Sequence, residues 1–489
     1  MKILSSDQIG EWDNSTIQKQ QISSLELMER AARRCAKEII KDFSDNFSFH
    51  IIVGKGNNGG DGLVIARYLI EKNYKIRISI LEFSEKESSD FKNNLSLLPT
   101  DLFSFISHEN KIVFKEKEII IDAIFGYGLN RETSGSFLQV IDKINTSNLK
   151  VLSIDMPSGL FADKNELNKG SVVKATTTYT FECVKFAFLI ESNLEYFGEV
   201  KLISIDLDKD FLQKTKTQNY LLSKEEIPSL KIRPQSSHKG DFGHALLVGG
   251  NLGMRGALIL ATKAALRAGV GKASVSIEKE YIKALNLNLP EVMIDNDISV
   301  ISRYNAIGIG PGMGTHKKAE NQLKILLQKR KDIPLLLDAD ALNIISKNKK
   351  LLQLCEEAII TPHIGEFRRL CGDFSSDEEK LDLQKEFAIT NNLIVVLKGT
   401  FTTISSPTGD LFFNNTGNSG MATAGSGDIL SGIIVGLLAQ GYNTIDAACL
   451  GVYVHGLAGD LALKNQSEES LIASDITETL GLAFKEIWK

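Results

Sequence analysis

The chain has 489 residues, 43% hydrophobic and 24% charged, with a formal net charge of -5. That length exceeds one ordinary core and predicts a globular protein of two or three domains. Charge is spread evenly, without a basic face or tail, so neither nucleic acid nor an anionic membrane is an expected partner.

In chain order, the first clear element is an amphipathic helix over 23–42. Ser23 and Glu26 form a capping box, and Leu25, Met28, Ala32, Cys35 and Ile39 fall on one face. Next come a strand at Phe49–Val53, a glycine-rich turn, a helix over Leu63–Glu71 and a strand at Ile76–Leu81. Apolar runs at Ile119–Ile124, Val151–Ile154 and Thr177–Phe181 read as further buried strands, which predicts an α/β domain with a doubly wound parallel sheet. The polar run Lys209–Gln218 breaks this rhythm and marks a boundary, giving domains at 1–215 and 220–489. The second half repeats the alternation, with strands at Ala245–Val248, Ala273–Ile277, Ala306–Ile309, Leu335–Leu337, Ala358–Ile360 and Leu393–Leu397, and an apolar helix over Ile445–Leu463. The five cysteines are scattered and never form a CxxC pair, so reduced thiols without structural zinc are expected. The opening MKILSSDQIGEWDN has no apolar stretch of signal-peptide length, and the longest apolar run, after Asp428, is too short to span a bilayer. A soluble, cytoplasmic protein is expected.

Residues 53–62, VGKGNNGGDG, satisfy GxGxxG through Gly54, Gly56 and Gly59, and Glu82 follows where a Rossmann fold keeps its ribose acid. A packed turn in a non-binding α/β domain is the alternative reading of the glycines. Asn57, Asn58 and Asp61 add amide oxygens and a carboxylate, which point to a cation or a polar substrate. Asp122 with Phe125–Glu132 (FGYGLNRE), and Asp155-Met156-Pro157-Ser158-Gly159, would reach the same crevice at the strand ends, although such acids also serve as caps.

The opening segment, NNGGDG, DAIFGYGL and DMPSG together resemble the NAD(P)H-hydrate epimerase domain over about residues 1–210. The resemblance implies a Rossmann-like fold that binds hydrated dinucleotide through Asn57, Asn58, Gly59, Gly60 and Asp61, and through Gly126, Tyr127, Gly128, Leu129, Asn130, Arg131 and Glu132. It also implies a potassium ion on Asn58, Asp122 and Ser158, and substrate contact and catalysis by Asp155. All-oxygen ligands suit a hard cation. The family's FGxPK segment stands here as Phe181-Glu182-Cys183-Val184-Lys185, so the lysine implied to be catalytic, Lys185, sits in an altered setting.

In the second half, Gly417–Gly432 (GNSGMATAGSGDILSG) packs glycines into a turn that runs into an apolar helix. Such a turn aims N–H groups and a helix N-terminus at one point and cradles an anion. Asp428 at its end is either the helix cap or a general base beside a phosphate. With GIGPGMG, LDADALN, TPHIGE and VVLKGTFT, this stretch resembles the ADP-dependent NAD(P)H-hydrate dehydratases of the ribokinase-like superfamily, from about residue 224 onward. That resemblance implies substrate at Ala257, Gly312, His363 and Asp428, with Asp428 catalytic. It implies nucleotide at Lys398, Gly399, Thr400, Phe401, Thr402 and Gly427. His363 could otherwise be a core histidine, and Glu366, matched to an acid near magnesium and phosphate in related kinases, a solvated helix start. Both halves in one chain resemble the bifunctional NAD(P)H-hydrate repair enzymes. Expected ligands are therefore NADHX and NADPHX, ADP with magnesium, and potassium, in a homo-oligomer. A small-molecule kinase and a non-enzymatic dinucleotide sensor are the other classes compatible with these residues.

Overall fold

The computed structural model describes residues 1–297 and 300–488. The chain divides into two compact units, Lys2–Thr217 and Gln218–Lys489, with Met1 joined to the latter.

The first unit is built on seven strands: β1 (Ser48–Val53), β2 (Lys75–Leu81), β3 (Phe103–Ile106), β4 (Glu118–Ala123), β5 (Lys150–Ile154), β6 (Thr177–Phe181) and β7 (Glu199–Ile203). Their order across the sheet is β3-β2-β1-β4-β5-β6-β7, and every pairing is parallel. The chain steps outward from β1 to β3, then returns to β4 on the other side of β1. That reversal opens a crevice at the carboxyl ends of β1 and β4. Runs such as Ile51-Ile52-Val53 and Ile119-Ile120-Ile121 are fully buried, as strands covered on both faces require.

The helix Ser24–Asp42 starts at the capping box. The Ser23 hydroxyl accepts the Glu26 N–H at 3.2 Å and the Glu26 carboxylate accepts the Ser23 N–H at 2.7 Å. Met28, Ala32, Cys35 and Ile39 are buried on its inner face. The glycine-rich segment corrects the sequence expectation, since the helix begins at Asn57 rather than Leu63. Asparagine and glycine are weak helix formers, which hid these first turns from a reading by propensity. Tertiary packing overrides that weakness. A Cβ on Gly59 would lie 1.8 Å from the Gly54 carbonyl oxygen, so the helix start is pressed directly onto the end of β1.

The second unit holds ten strands: β8 (Asn219–Leu221), β9 (His244–Val248), β10 (Lys272–Ser276), β11 (Met293–Ile294), β12 (Ala306–Ile309), β13 (Leu335–Leu337), β14 (Ile359–Ile360), β15 (Ile394–Leu397), β16 (Thr402–Ser405) and β17 (Leu411–Asn414). The order is β11-β10-β9-β12-β13-β14-β15-β16-β17-β8. It is parallel as far as β15, then antiparallel through β16 and β17, with β8 parallel to β17 at the edge. The reversal lies between β9 and β12, so this sheet has its own crevice. Helices Arg255–Arg267, Ser426–Ala439 and Thr444–Ala462 contribute to the apolar layer on one face; Leu323, Leu326, Ile344 and Phe367 belong to the other. Two of these helices meet backbone to backbone, because a Cβ on Gly432 would lie 1.9 Å from the Ala261 carbonyl oxygen. The polar run Lys209–Gln218 contains a short helix, Lys209–Lys214.

Candidate functional site

In the first unit a cavity of about 870 Å³ opens at the β1–β4 reversal, and its walls include Asp13, Asn57, Asn58, Asp61, Asp155 and Lys185. Asp122, at the end of β4, is fully buried. Its Oδ1 accepts the Ser158 hydroxyl at 2.5 Å and the Ile124 N–H at 3.3 Å. Its Oδ2 accepts the Ser153 hydroxyl at 2.8 Å and the Ser158 N–H at 2.9 Å. Burial pushes its carboxyl above the usual range against those four bonds. Asn58, also buried, has both amide atoms without a hydrogen-bond partner. An orphaned amide of this kind calls for a ligand.

Asp155, after β5, adopts a left-handed backbone with φ of 65°, a conformation that aspartate tolerates better than most residues. Its Oδ2 accepts the Tyr127 N–H at 3.0 Å and its Oδ1 the Lys185 ammonium at 2.7 Å. Lys185 is 1% exposed, and despite its altered motif the fold brings it to Asp155. Phe125 to Arg131 line the cavity, including Gly126, Tyr127, Gly128, Leu129 and Asn130. Gly59, Gly60, Glu132 and Glu82 are not among the residues that line this cavity. Gly59 and Gly60 pack under the helix start, the latter against Met28. Glu132 lies outside the lining, where its carboxylate accepts the Lys169 N–H at 3.0 Å. Glu82 is exposed and also outside the lining. Sequence reasoning missed Asp13, from the helix Ser6–Gln20, whose carboxylate accepts the Tyr127 hydroxyl at 2.8 Å.

In the second unit the Gly249-Gly250 turn follows β9 and the Pro311-Gly312 turn follows β12, on either side of the reversal. They touch closely: the Gly250 N–H donates to the Pro311 carbonyl at 3.0 Å and the Asn251 N–H to the Gly312 carbonyl at 2.6 Å. Ala257 is the third residue of the helix that this turn starts. Asp428 is the third residue of the Ser426–Ala439 helix, whose N-cap is Gly425, so the acid is not the cap. Among the described residues no side chain or backbone group bonds to it. Burial pushes its carboxyl up to about 6, Asp338 and Asp340 add to the rise, and Lys398 opposes it. Lys398 donates to Asp338 Oδ1 at 3.0 Å, and a Cβ on Gly427 would lie 3.3 Å from its Nζ. A lysine ammonium thus stands beside a helix N-terminus, where the first N–H groups have no intrahelical acceptor.

His363 is the N-cap of the helix Ile364–Cys371. Its Nδ1 accepts the Gly365 and Glu366 N–H groups, so Nε2 carries the proton in this assignment. Its side chain is 55% exposed and is not a core histidine. Glu366, by contrast, is buried and accepts the His363 N–H at 2.9 Å, a cap rather than a solvated charge. Gly399 and Thr400 are exposed and Phe401 half-buried in the turn before β16, which Thr402 begins.

Comparison with known proteins matches the two halves of the chain to two families. The family described as NAD(P)H-hydrate dehydratase matches residues 245–481, and that described as YjeF-related protein N-terminus matches residues 24–187. The bifunctional NAD(P)H-hydrate repair enzyme of Moorella thermoacetica is 32% identical, over 100% of this chain and 97% of its own. The chain belongs to the bifunctional NAD(P)H-hydrate repair enzymes. Another member of these repair enzymes, from Coxiella burnetii, is 34% identical over 93% of this chain and 94% of its own. Among solved structures, a ribokinase-like superfamily protein from Enterococcus faecalis V583 superposes with a TM-score of 0.51 at 32% identity, over 56% of this repair enzyme chain and 98% of its own.

Proposed function

We propose that this chain repairs hydrated nicotinamide cofactors. The first unit interconverts the R and S hydrates, NADHX and NADPHX. The second restores NAD(P)H from the S form with ADP as phosphoryl donor, releasing AMP and phosphate. The observation that carries the reading is Asp428, a half-buried carboxylate with no hydrogen-bond partner among the described residues, beside a helix N-terminus and Lys398. Hydroxide is a poor leaving group and phosphate a good one, so a site that phosphorylates the ring hydroxyl makes loss of that oxygen easy. Asp428 takes the hydroxyl proton as the oxygen attacks the terminal phosphorus of ADP. The N–H groups at Gly427 and Asp428, with Lys398, offset charge on the transferring group. Ala257, Gly312 and His363 bind the hydrate; Lys398, Gly399, Thr400, Phe401, Thr402 and Gly427 bind ADP.

Magnesium fits as an ion carried on the ADP phosphates, since it keeps most water and phosphate ligands and takes one or two carboxylates from protein. Asp338 and Asp340 are the carboxylates whose charges reach Asp428. In the first unit, Asn58, Asp122 and Ser158 would hold potassium. The orphaned Asn58 amide and the buried Asp122 charge, which has no cationic partner among the described residues, fit a hard monovalent cation. Bound there, potassium would neutralise Asp122 and fix the Asn58 side chain at the cavity wall. The five free thiols support a cytoplasmic setting.

The test is to incubate the full-length protein with NADH hydrate and ADP and follow the absorbance of reduced nicotinamide. Absorbance returns with ADP and not without it. Binding without recovery would favour a sensor, and ADP consumption on a sugar or pyrimidine alcohol alone would favour a kinase.

A further inference from the structure

The cavity of the first unit holds two ionisable pairs that differ in how fully their bonding positions are used. The Lys185 ammonium has three N–H groups, and three acceptors take them: Asp155 Oδ1 at 2.7 Å, the Thr180 hydroxyl at 2.8 Å and the Phe181 carbonyl at 2.9 Å. Asp155 Oδ2 is taken by the Tyr127 N–H. The second pair is Asp13 with Tyr127. The Tyr127 hydroxyl donates to Asp13 Oδ2 at 2.8 Å, and among the described residues nothing bonds to Oδ1 of this cavity-lining side chain. From this contrast we infer that Asp13 is the proton-exchanging residue of the epimerisation, positioned by Tyr127, and that Lys185–Asp155 is a fixed ion pair. The inference rests on the epimerase reading of this unit.

The electrostatics agree with the geometry. Burial pushes Asp13 up to about 6, and the Tyr127 hydrogen bond restrains the rise. Asp155 and Glu182 raise it further and Lys185 lowers it. Asp61, which lines the same cavity, lies well above the usual range through burial and the charges of Asp155, Asp13 and Asp90. Lys185 behaves differently. Burial is the largest influence and opposes its charge, but Asp155, Cys183 and Asp13 together hold the proton on above the ordinary lysine value. A group matched to the working pH exchanges protons best, and that group is Asp13.

The hydrate carries its hydroxyl on the ring carbon bonded to the ring nitrogen. Asp13 Oδ1 takes the hydroxyl proton, and the freed electron pair forms a carbonyl. The carbon–nitrogen bond breaks, its electrons passing to nitrogen and on into the conjugated ring carboxamide. The opened arm rotates about the bond beside the new carbonyl. Nitrogen then attacks the other face, the carbon–nitrogen bond reforms, the carbonyl electrons return to oxygen and Asp13 gives the proton back. Nothing is consumed, and one carbon is inverted.

The test follows both epimers chromatographically, with full-length protein and no ADP, between about pH 5 and 8. In wild type, kcat should fall about tenfold per pH unit below about 6, because the ionised carboxylate is the base. Asp13→Asn should lower kcat roughly 10²–10⁴-fold with little change in KM. Tyr127→Phe removes a hydrogen bond to the ionised form, so its acid limb should move to higher pH whatever its plateau. Asp13→Asn turnover within about threefold of wild type, or a Tyr127→Phe limb that stays in place, overturns the inference. If Asp13→Asn fails to fold, as melting would show, the Tyr127→Phe shift decides. An inactive wild type would overturn the epimerase reading instead.

Discussion

The two units place glycine turns at the reversal of a parallel sheet, yet they handle charge in opposite ways. In the first, two carboxylates are held in place: Asp122 accepts four hydrogen bonds and Asp155 is ion-paired to Lys185. In the second, Asp428 has no partner among the described residues and the helix N–H groups beside it point outward from Gly425. The difference fits the two proposed chemistries. A site that rearranges one molecule can keep most charges in fixed pairs, whereas a site that receives a polyanion must leave donors and its acid open until the ligand arrives.

The contrast breaks first at Asp428. Asp428→Ala and Asp428→Asn should each cut ADP-dependent dehydration roughly 10²–10⁴-fold in steady-state assays, with epimerisation intact and ADP affinity equal or higher. Dehydration within about threefold of wild type would remove Asp428 as the base. Its carboxyl, pushed up to about 6, must be ionised to accept a proton, so wild-type dehydration should fall as pH drops through 6. The stability sign is opposite. The folded form holds its proton to higher pH than the unfolded chain, so this group favours folding at low pH and loses that contribution as pH rises through about 6. Asp428→Asn should therefore melt higher than wild type at neutral pH.

A smaller effect sharpens the other side of the comparison. Replacing potassium by sodium or lithium should slow epimerisation severalfold while leaving dehydration unchanged, and Asp122→Ala should abolish both the activity and its salt dependence. Equal epimerisation rates in all three salts would sink the potassium assignment. Smaller still is the effect of separating the units: a chain ending at Thr217 should stay soluble and epimerise without ADP at nearly the full-length rate. Solubility only in the presence of the second half would mean that the units do not fold alone. Least of all, Ser23→Ala removes the cap of a helix packed by Met28 and Cys35 and should cost about 1 kcal/mol in denaturant titration, with both activities retained.

Much of this was legible in the sequence, for identifiable reasons. β-branched runs marked the parallel strands because burial on both faces leaves no polar alternation to confuse them. Ser23 and Glu26 marked a helix start because a capping box is local. The residues of NNGGDG were legible as chemistry but not as structure, since Gly59 is helical only because the end of β1 meets it. Asp13 was not legible at all. It stands 114 positions from the tyrosine it bonds, on a helix whose polar residues look merely solvated. The β16–β17 ribbon and the edge strand β8 are short, and only their pairing distinguishes them from loops. Glu366 read either as an acid near magnesium and phosphate or as a solvated helix start, because its sequence neighbours do not reveal that its carboxylate turns back onto His363.

The contact at Gly432 works as a spacer gauge between two arms of one instrument. One arm starts at the Gly249–Gly253 turn and the other at the turn holding Asp428, and no side chain separates them where Gly432 meets Ala261. A single added methyl would wedge the arms apart by about an ångström, a displacement that costs an aligned reaction on the order of 10²-fold. The tolerance of the second site is thus machined into its core, about one turn of helix from Asp428 on one arm and from Ala257 on the other.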